Sequence, residues 1–261
     1  KRMLIIGGSG RMGMWLCRFF AARGHKIRVY DQEDNPQFPM ETDLERGVRD
    51  AEVIILAMPI SSTPEMLRQV LSLRPAGVVL DITSIKTPLV KALRAGAADG
   101  MKVCSMHPMF GPDTSSIIDR NVIICRCGSA EATELARSLI DGSNVIEMEV
   151  EEHDPLMAYV LGLGHAVNIA FFEALRRSGR PFMELDRAAS TTFRRQVDSA
   201  RNVAEENAQL YYEIQHLNPF NKDALEHLQR AVDDLMEAAL KDDREAFERM
   251  MREGREYFGG R

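Results

Sequence analysis

Up to about residue 150, short apolar runs alternate with segments in which apolar residues recur every three or four positions. Runs rich in β-branched residues predict strands, and the three-and-four spacing predicts amphipathic helices. The strand candidates are MLIIGG, KIRVYD, AEVIILAMP, GVVLDITS, KVCSMHP and NVIICRCG. Their alternation with helical segments predicts an α/β domain with a doubly wound, mostly parallel sheet.

Beyond about residue 150 the pattern changes, and long helical periods such as ALEHLQRAVDDLMEAALKDDREAFERMMREG replace the strand candidates. We therefore expect two domains, an α/β domain over 1–150 and an all-α domain over 151–261. Open α/β sheets bind ligands beyond the carboxyl ends of their strands. The helical domain is expected to supply the other wall of a cleft at that edge.

Composition narrows the classes of partner. A net charge of −6 and a hydrophobic content of 45% fit a globular domain pair and argue against a nucleic-acid or anionic-membrane binder. The longest apolar runs are shorter than the roughly 20 residues of a membrane helix, so we expect a soluble, cytoplasmic protein. The 4 cysteines form no CxxC pair and the 6 histidines are scattered, so no metal site is predicted.

The segment GGSGRMG carries the pattern G-x-G-x-x-G at Gly8, Gly10 and Gly13, directly after a strand and before a helix. This context is typical of dinucleotide-binding, Rossmann-type domains. We expect Gly8 to make the tight turn, Gly10 to let a pyrophosphate approach and Gly13 to allow helix packing. Arg11 and Met12 lie in the first helical turn, whose N–H groups face the same anion.

Asp31 ends the second strand candidate and is followed by Gln32 and Glu33. An acidic residue at this point accepts hydrogen bonds from the adenine ribose hydroxyls and repels a 2′-phosphate. The sequence therefore favours NAD over NADP as cofactor. The alternative role for Asp31 is that of a turn residue at the strand end.

Later strand ends supply candidates for the nicotinamide side of the site. They are Met58 and Pro59 in LAMPI, Ser84 and Lys86 in DITSIK, and His107 in CSMHPMFGPD. The two prolines around MFG make a rigid loop after the histidine. Ser84 has the alternative role of a helix N-cap. Lys86 is either a solvated helix residue or an anchor for an anionic substrate.

The combination of GxGxxG, DITSIK, HPMFGPD and EEHD resembles the prephenate dehydrogenase family over essentially the whole chain. The piece HPMFGP is most similar to the bifunctional enteric form, and the resemblance covers its dehydrogenase core only. The resemblance implies NAD-dependent oxidative decarboxylation of prephenate to 4-hydroxyphenylpyruvate, CO2 and NADH in tyrosine biosynthesis. It also implies a homodimer that forms through the helical domain.

By this resemblance His107 is the catalytic histidine, which accepts a hydrogen bond from the ring hydroxyl of prephenate. A neutral imidazole can accept that proton, whereas a protonated one cannot. The resemblance implies that Ser84 hydrogen-bonds to His107 or to the substrate hydroxyl. It places His153 and His165 on the cleft side, with His165 nearer the substrate; the alternative for His153 is a buried core histidine.

Prephenate carries two carboxylates, which arginine binds with bidentate geometry. The segment STTFRRQVDSARN places Arg194 and Arg201 on one helical face, two turns apart. Family members have the second arginine one position later, where this chain has Asn202. We assign the ring carboxylate to Arg201, with Arg194 or Arg195 as the fallback; the alternative is that all three are solvated.

Three other functions compete with this one. Arogenate dehydrogenase shares the fold and the histidine, and one sequence hardly separates it from prephenate dehydrogenase. Dehydrogenases of 3-hydroxy acids use a lysine in the first helix of the helical domain, and residues 150–175 contain none. A non-catalytic dinucleotide-sensing module needs neither a rigid histidine nor an arginine face.

Overall fold

A computed structural model describes residues 1–259 of the chain. Within them, one seven-stranded sheet has the order β2-β1-β3-β4-β5-β6-β7. Every neighbouring pair is parallel except β5 and β6, which run antiparallel. The strands are β1 (Arg2–Ile6), β2 (Lys26–Tyr30), β3 (Val53–Leu56), β4 (Val78–Asp81), β5 (Val103–Pro108), β6 (Asn121–Arg126) and β7 (Asn144–Glu149). The predicted α/β class with a mostly parallel sheet is confirmed.

The central strands form because their residues are apolar on both faces. In β3 and β4 every residue is buried, as expected for parallel strands covered by helices on each side. Strand β7 escaped the sequence analysis. Its sequence NVIEME alternates exposed and half-buried positions at the edge of the sheet, so it lacks the continuous apolar run that marks the other strands.

The sheet is covered by helices that each bury one apolar face. Helix α1 places Leu16, Cys17 and Phe20 in the same core cluster as Ile5 of β1 and Val29 of β2. Fully burying side chains of this size stabilises the fold by about 1.5–3 kcal/mol each. The helices are α1 (Arg11–Ala22), α2 (Leu44–Asp50), α3 (Thr63–Ser72), α4 (Val90–Ala98), α5 (Ala130–Leu139) and α6 (Val150–Met157).

The chain divides into two compact units at positions that differ from the predicted boundary near residue 150. The first unit contains Lys1–Met157 and returns for Asn207–Asn218; the second contains Ala158–Glu206 and the residues from 219 onward. Helix α6 therefore belongs to the sheet unit, because its residues His153 and Asp154 are buried there. A boundary drawn from a change of pattern cannot detect a helix that returns to the sheet.

The returning helix belongs to the first unit through polar contacts. The buried Glu213 carboxylate accepts hydrogen bonds from the Ser61 hydroxyl at 2.6 Å and the Ser61 amide at 3.3 Å. Asn218 Nδ2 donates to the carbonyl of Asp154 at 2.9 Å. The helix therefore links the segment after β3 to helix α6. Its sequence AQLYYEIQHL shows none of this, because its partners lie far away in the chain.

The second unit is helical throughout its described residues, as predicted. It begins with a π-helical turn, Ala158–Leu163, where the side chain of Asn221 approaches so closely that a Cβ on Gly162 would lie 2.1 Å from Asn221 Oδ1. Phe171 and Phe193 pack edge to face with ring centroids 5.9 Å apart. The remaining helices, with the returning α10 included, are α7 (Gly164–Arg177), α8 (Phe182–Arg187), α9 (Thr191–Glu205), α10 (Ala208–Leu217), α11 (Asn221–Leu240) and α12 (Arg244–Tyr257).

One continuous helical segment, Val150–Arg177, is long and apolar enough to cross a membrane by length and composition, with a mean hydropathy of 1.5 over its best window. The segment was not expected from the sequence, because its apolar residues do not form one uninterrupted run. The core helices of globular proteins also meet this criterion. The segment begins with Glu151, Glu152 and the buried pair His153 and Asp154, and its first turns belong to the sheet unit.

Candidate active site

The glycine-rich turn between β1 and α1 has one residue with positive φ, and it is Gly7. Gly7 has φ of 83° and donates its N–H to the carbonyl of Tyr30 at 2.9 Å. A non-glycine residue there would be strained. The N–H of Gly10 donates to the carbonyl of Gly7 at 3.3 Å, so Gly8 lies within the turn as predicted, and Gly7 provides its positive φ.

The other three glycines divide into two kinds. A Cβ on Gly8 would lie 2.8 Å from the Val29 side chain, and a Cβ on Gly13 would lie 2.0 Å from the carbonyl oxygen of Gly7. Both glycines therefore allow the helix to pack closely on the strands. A Cβ on Gly10 would meet no heavy atom of the protein nearer than 3.5 Å. Gly10 thus leaves open space at the start of α1.

That space fits a dinucleotide phosphate. Gly10 is the N-cap of α1 and provides no side chain to cap the helix, and no acidic residue lies in the first turn. The N–H groups of a helix's first turn and the partial positive charge of its N-terminus favour an anion at this position. Gly7 and Gly10 line a cavity of 660 Å³ that also includes Asp31, Met58 and Pro59. The structure therefore brings these predicted cofactor residues together.

Asp31 performs two tasks in this cavity. Its Oδ2 accepts the Ser9 amide at 2.9 Å, and its Oδ1 accepts the Glu33 amide at 3.2 Å. The carboxylate therefore stabilises the glycine-rich turn through the Ser9 amide. Each of its oxygens keeps further lone pairs for a ligand hydroxyl. The same wall of the cavity carries Glu33 and Asp34, which make it acidic, and Glu41, which is paired with Arg28 and Arg46.

Arg11 and Met12 take other places. Arg11 is exposed and forms an ion pair with Asp113 at 3.0 Å, in the segment that follows β5. One turn later, Trp15 Nε1 donates to the carbonyl of Thr114 at 2.6 Å. Met12 is half-buried and does not line the 660 Å³ cavity. The start of α1 is therefore attached to the segment that follows His107.

His107 is the second-to-last residue of β5, at the carboxyl edge of the sheet. The residue is only 4% exposed. Its Nδ1 lies 2.9 Å from Nε2 of His153. Burial lowers the pKa of His107 well below the ordinary 6.5, and the neighbouring His153 and the Lys86 ammonium lower it further. The imidazole is therefore neutral at physiological pH, which is the form that can accept a proton.

His153 is completely buried and uses both ring nitrogens. Its Nε2 faces His107, and its Nδ1 lies 2.7 Å from Oδ1 of Asp154. Burial lowers its pKa, although Asp154 opposes that shift. Both nitrogens are engaged within the protein, which favours the alternative of a buried core histidine; substrate binding by His153 stays a prediction. Its Nε2 holds the His107 ring through the hydrogen bond to His107 Nδ1.

Asp154 is the third member of a row of hydrogen-bonded side chains that runs from His107 through His153. Its carboxylate accepts the backbone N–H of Lys86 at 2.8 Å and that of Thr87 at 2.6 Å. Burial acts to raise the pKa of Asp154, but the hydrogen bonds from His153, Thr87 and Lys86 outweigh it and hold the pKa below its ordinary value. The carboxylate is therefore ionised and fixed in one orientation.

Lys86 is fully buried, contrary to both roles expected from the sequence. Its Nζ donates to Asp81 Oδ1 at 2.9 Å, to the Thr83 carbonyl at 2.7 Å and to the Met106 carbonyl at 2.7 Å. An ammonium has three donors, and all three are engaged. Lys86 is thus neither solvated nor free to bind a substrate anion; it joins the loop after β4 to the end of β5.

Ser84 is half-buried in that loop, and helix α4 begins six residues farther on with Leu89 as its N-cap. The N-cap alternative is therefore wrong. The expected hydrogen bond from Ser84 to His107 is also not formed among the described residues, and the bond that His107 Nδ1 does make is to His153. A hydrogen bond from Ser84 to the substrate stays a prediction.

The arginine candidates lie in α9 of the second unit, as predicted. Arg201 lines an apolar cavity of 590 Å³, and its guanidinium carbon lies 5.7 Å from the centroid of the Phe182 ring. All three arginines are exposed, but Arg194 and Arg195 line no part of this cavity. His165 lies in the first turn of α7, where partial burial lowers its pKa. Its place in the cavity lining thus distinguishes Arg201 from Arg194 and Arg195.

The fold and these groups define a class. A doubly wound sheet with a glycine-rich turn, an acidic cavity beside it and a neutral buried histidine at a strand end are together typical of nucleotide-dependent dehydrogenases. Comparison with known proteins gives the family. The family model described as the nucleotide-binding domain of prephenate dehydrogenase matches residues 23–139, and its dimerization domain matches residues 149–253. The chain belongs to the prephenate dehydrogenase family.

Individual relatives agree with this result. The chain is 28% identical over 269 residues to a probable arogenate/prephenate dehydrogenase of Methanocaldococcus jannaschii, covering 98% of this chain but 60% of that protein. It is 27% identical over 262 residues to the T-protein of Haemophilus influenzae, covering 99% of this chain and 67% of that protein. The chain thus spans less than two thirds of the archaeal relative.

Among solved structures, prephenate dehydrogenase of Aquifex aeolicus in complex with hydroxyphenyl propionate and NAD+ superimposes with a TM-score of 0.77. The two chains are 20% identical, and the match covers 99% of this chain and 97% of the other. At this identity the likeness supports the fold. Together with the nucleotide-binding family model, it confirms the predicted NAD cofactor at the level of the family.

Proposed function

We propose that the protein is an NAD-dependent prephenate dehydrogenase, which converts prephenate to 4-hydroxyphenylpyruvate, CO2 and NADH. The observation that carries the proposal is the state of His107. It is a neutral, buried imidazole at the carboxyl end of β5, and its Nδ1 is hydrogen-bonded to His153 Nε2. A histidine in this state can act as a base toward a substrate hydroxyl. His107 is the catalytic histidine of this proposal.

In the proposed reaction, His107 Nε2 accepts the hydrogen bond of the ring hydroxyl. When bound, NAD accepts the hydride from the carbon that carries this hydroxyl. The ring carboxylate leaves as CO2, and its bonding electrons make the ring aromatic. The proton that Nε2 holds during hydride loss returns to the phenolic oxygen, so no net proton is consumed. Because aromatisation makes the step downhill, the protein mainly positions and polarises the substrate.

The cofactor preference in this proposal is for NAD. Asp31, Glu33, Asp34 and Glu41 surround the cavity beside the glycine-rich turn. A 2′-phosphate there would meet several carboxylates. Glu41 is itself paired with Arg28 and Arg46, so the repulsion comes from the carboxylates of Asp31, Glu33 and Asp34.

For the substrate carboxylates we propose Arg201, with Ser84 and His165 near the substrate ring. Support comes from the position of Arg201 in an apolar cavity with aromatic walls, because a guanidinium beside apolar surface binds a carboxylate more strongly than a fully solvated one. Arg194 is the second candidate, since it lies on the same face of α9.

The second candidate function is arogenate dehydrogenase. The name of the M. jannaschii relative includes both substrates. Arogenate differs from prephenate by an amino group in place of the side-chain keto group, far from the carbon that loses hydride. The residues around His107 serve either substrate equally.

We further propose a cytoplasmic homodimer formed through the helical unit. The family model of this region is described as a dimerization domain. Helices α11 and α12 carry exposed apolar side chains of the kind that a partner covers. They include Val232, Leu235, Met236, Leu240, Phe247 and Met251.

The experiment that tests the function is an absorbance assay for NADH, with prephenate and arogenate in parallel and with NAD and NADP for each. We expect turnover with NAD and a clear preference for prephenate. A preference for arogenate would establish the second candidate. Absence of turnover with both substrates, in a folded protein that binds NAD, would refute the proposed function.

A further inference from the structure

The row Asp154, His153 and His107 is a continuous hydrogen-bonded chain inside the first unit. The distances are 2.7 Å from Asp154 Oδ1 to His153 Nδ1 and 2.9 Å from His153 Nε2 to His107 Nδ1. All three residues are at least 95% buried, so solvent does not compete for these bonds. The positions of the protons along such a row are determined by its fixed end.

The fixed end is Asp154. An ionised carboxylate only accepts hydrogen bonds, and this one is held by the backbone N–H groups of Lys86 and Thr87. His153 Nδ1 must therefore carry the proton of the bond between them. In a neutral imidazole the other nitrogen is then an acceptor, so His153 Nε2 presents a lone pair to His107.

The same reasoning applies one residue farther along. Because His153 Nε2 is an acceptor, His107 Nδ1 must donate to it. A neutral His107 then has no proton on Nε2, and the lone pair of Nε2 is available to a substrate hydroxyl. The opposite tautomer would place two N–H groups or two lone pairs against each other, and either arrangement is costly at a buried site.

We propose that Asp154 and His153 are positioning residues that hold His107 in the tautomer whose Nε2 accepts the substrate proton. The catalytic consequence rests on the proposed function, but the tautomer does not. When Nε2 takes up the proton, the developing positive charge is stabilised through the row by the Asp154 carboxylate. No oxidant or further proton donor is needed, since the proton returns to the product oxygen.

Other charged groups near the row also influence its protons. The Lys86 ammonium disfavours a positive charge on either histidine, and Asp81 favours a charge on His153. Lys86 and Asp81 are paired with each other at 2.9 Å, so their opposite effects largely cancel. Asp154 is therefore the charge that decides the tautomer.

Asp154→Asn tests the proposal. The amide oxygen can still accept the backbone N–H groups of Lys86 and Thr87, but the amide nitrogen then donates to His153 Nδ1. Every proton in the row reverses, and His107 Nε2 becomes a donor. We expect kcat to fall by about 10² or more, with the KM for substrate changed little and the acid limb of the kcat profile displaced.

Glu152→Gln is the matched control, because it removes a carboxylate from the same helix that is exposed and does not touch the histidines. It should leave kcat unchanged. Thermal unfolding of both variants checks that they are folded. A folded Asp154→Asn variant with wild-type kcat and pH profile would overturn the proposal.

A second measurement needs no substrate. Nitrogen-15 NMR of histidine-labelled wild-type protein distinguishes protonated from unprotonated ring nitrogens, and the His107→Asn variant assigns the His107 signals. We expect protonated Nδ1 and unprotonated Nε2 at neutral pH. The reverse pattern would overturn the proposal even if the enzyme turned over prephenate, whereas the expected pattern without turnover would refute only the proposed function.

Discussion

Lys86 Nζ lies 2.9 Å from Asp81 Oδ1, and neither side chain is exposed to solvent. Removing one partner of a buried pair leaves an uncompensated charge, which costs about 3–5 kcal/mol. We therefore expect Lys86→Met to lower the free energy of unfolding by about that amount, as measured by urea denaturation. Lys91→Met, an exposed lysine on α4, should change it little. Equal stability of the two variants would contradict the role given to Lys86.

The second prediction concerns His107. His107→Asn keeps a donor toward His153 but has no basic nitrogen. We expect kcat to fall by about 10²–10⁴, with unchanged NAD affinity by fluorescence titration, because the glycine-rich turn is untouched. His25→Asn, outside the site, serves as the control. Wild-type turnover in His107→Asn would remove this histidine from the mechanism.

The pH dependence follows from the lowered pKa of His107. Because burial and the charges of His153 and Lys86 hold it well below 6.5, the neutral form persists as the pH falls through 6.5. We expect kcat/KM to stay constant through that pH and to decline only in more acidic solution. The unfolded chain binds a proton near pH 6.5 that the folded histidine does not, so stability should also decrease below that pH. An activity decline centred at the ordinary histidine value would contradict this prediction.

Asp31→Ala should reduce the preference for NAD over NADP, because it removes a carboxylate from the acidic wall of the cavity. It should also weaken NAD binding, since the Ser9 amide loses its acceptor. The ratio of kcat/KM with the two cofactors provides the measurement, and Asp50→Ala on α2 is a control outside the cavity. An unaltered ratio would limit Asp31 to its role in the turn.

Arg201→Gln should raise the KM for prephenate far more than the KM for NAD, because the amide keeps hydrogen bonding but loses the charge. Arg194→Gln is the matched control on the same face of α9. If Arg194→Gln shows the larger effect, the assignment moves to Arg194. Steady-state kinetics with each substrate varied in turn separates the two cases.

The sequence predicts the sheet well because its central strands are apolar on both faces and are followed by turn residues. It also predicts the glycine-rich turn, Asp31 and His107, since each lies at the end of a strand. It misses β7, whose edge position leaves an alternating pattern, and it misses the positive φ of Gly7, because Gly7 and Gly8 are indistinguishable in sequence.

The sequence could not predict the contacts of Lys86, His153 and Asp154 that hold His107 in place. Lys86 looks like a solvated lysine, and only the fold brings the Thr83 and Met106 carbonyls to its ammonium. The adjacent His153 and Asp154 in EEHD were the one available signal of a histidine paired with a carboxylate. Nothing in the sequence indicates that His153 turns toward β5, since that contact joins residues 46 positions apart.

Helix α10 means that neither unit is one uninterrupted stretch of chain. A fragment that stops at residue 150 would lack Asp154, His153 and the helix that binds Ser61 through Glu213. The nucleotide-binding portion therefore cannot be exchanged between relatives by a single crossover. A functional chimera needs junctions near residues 157, 206 and 218, so that both parts of the sheet unit come from the same parent.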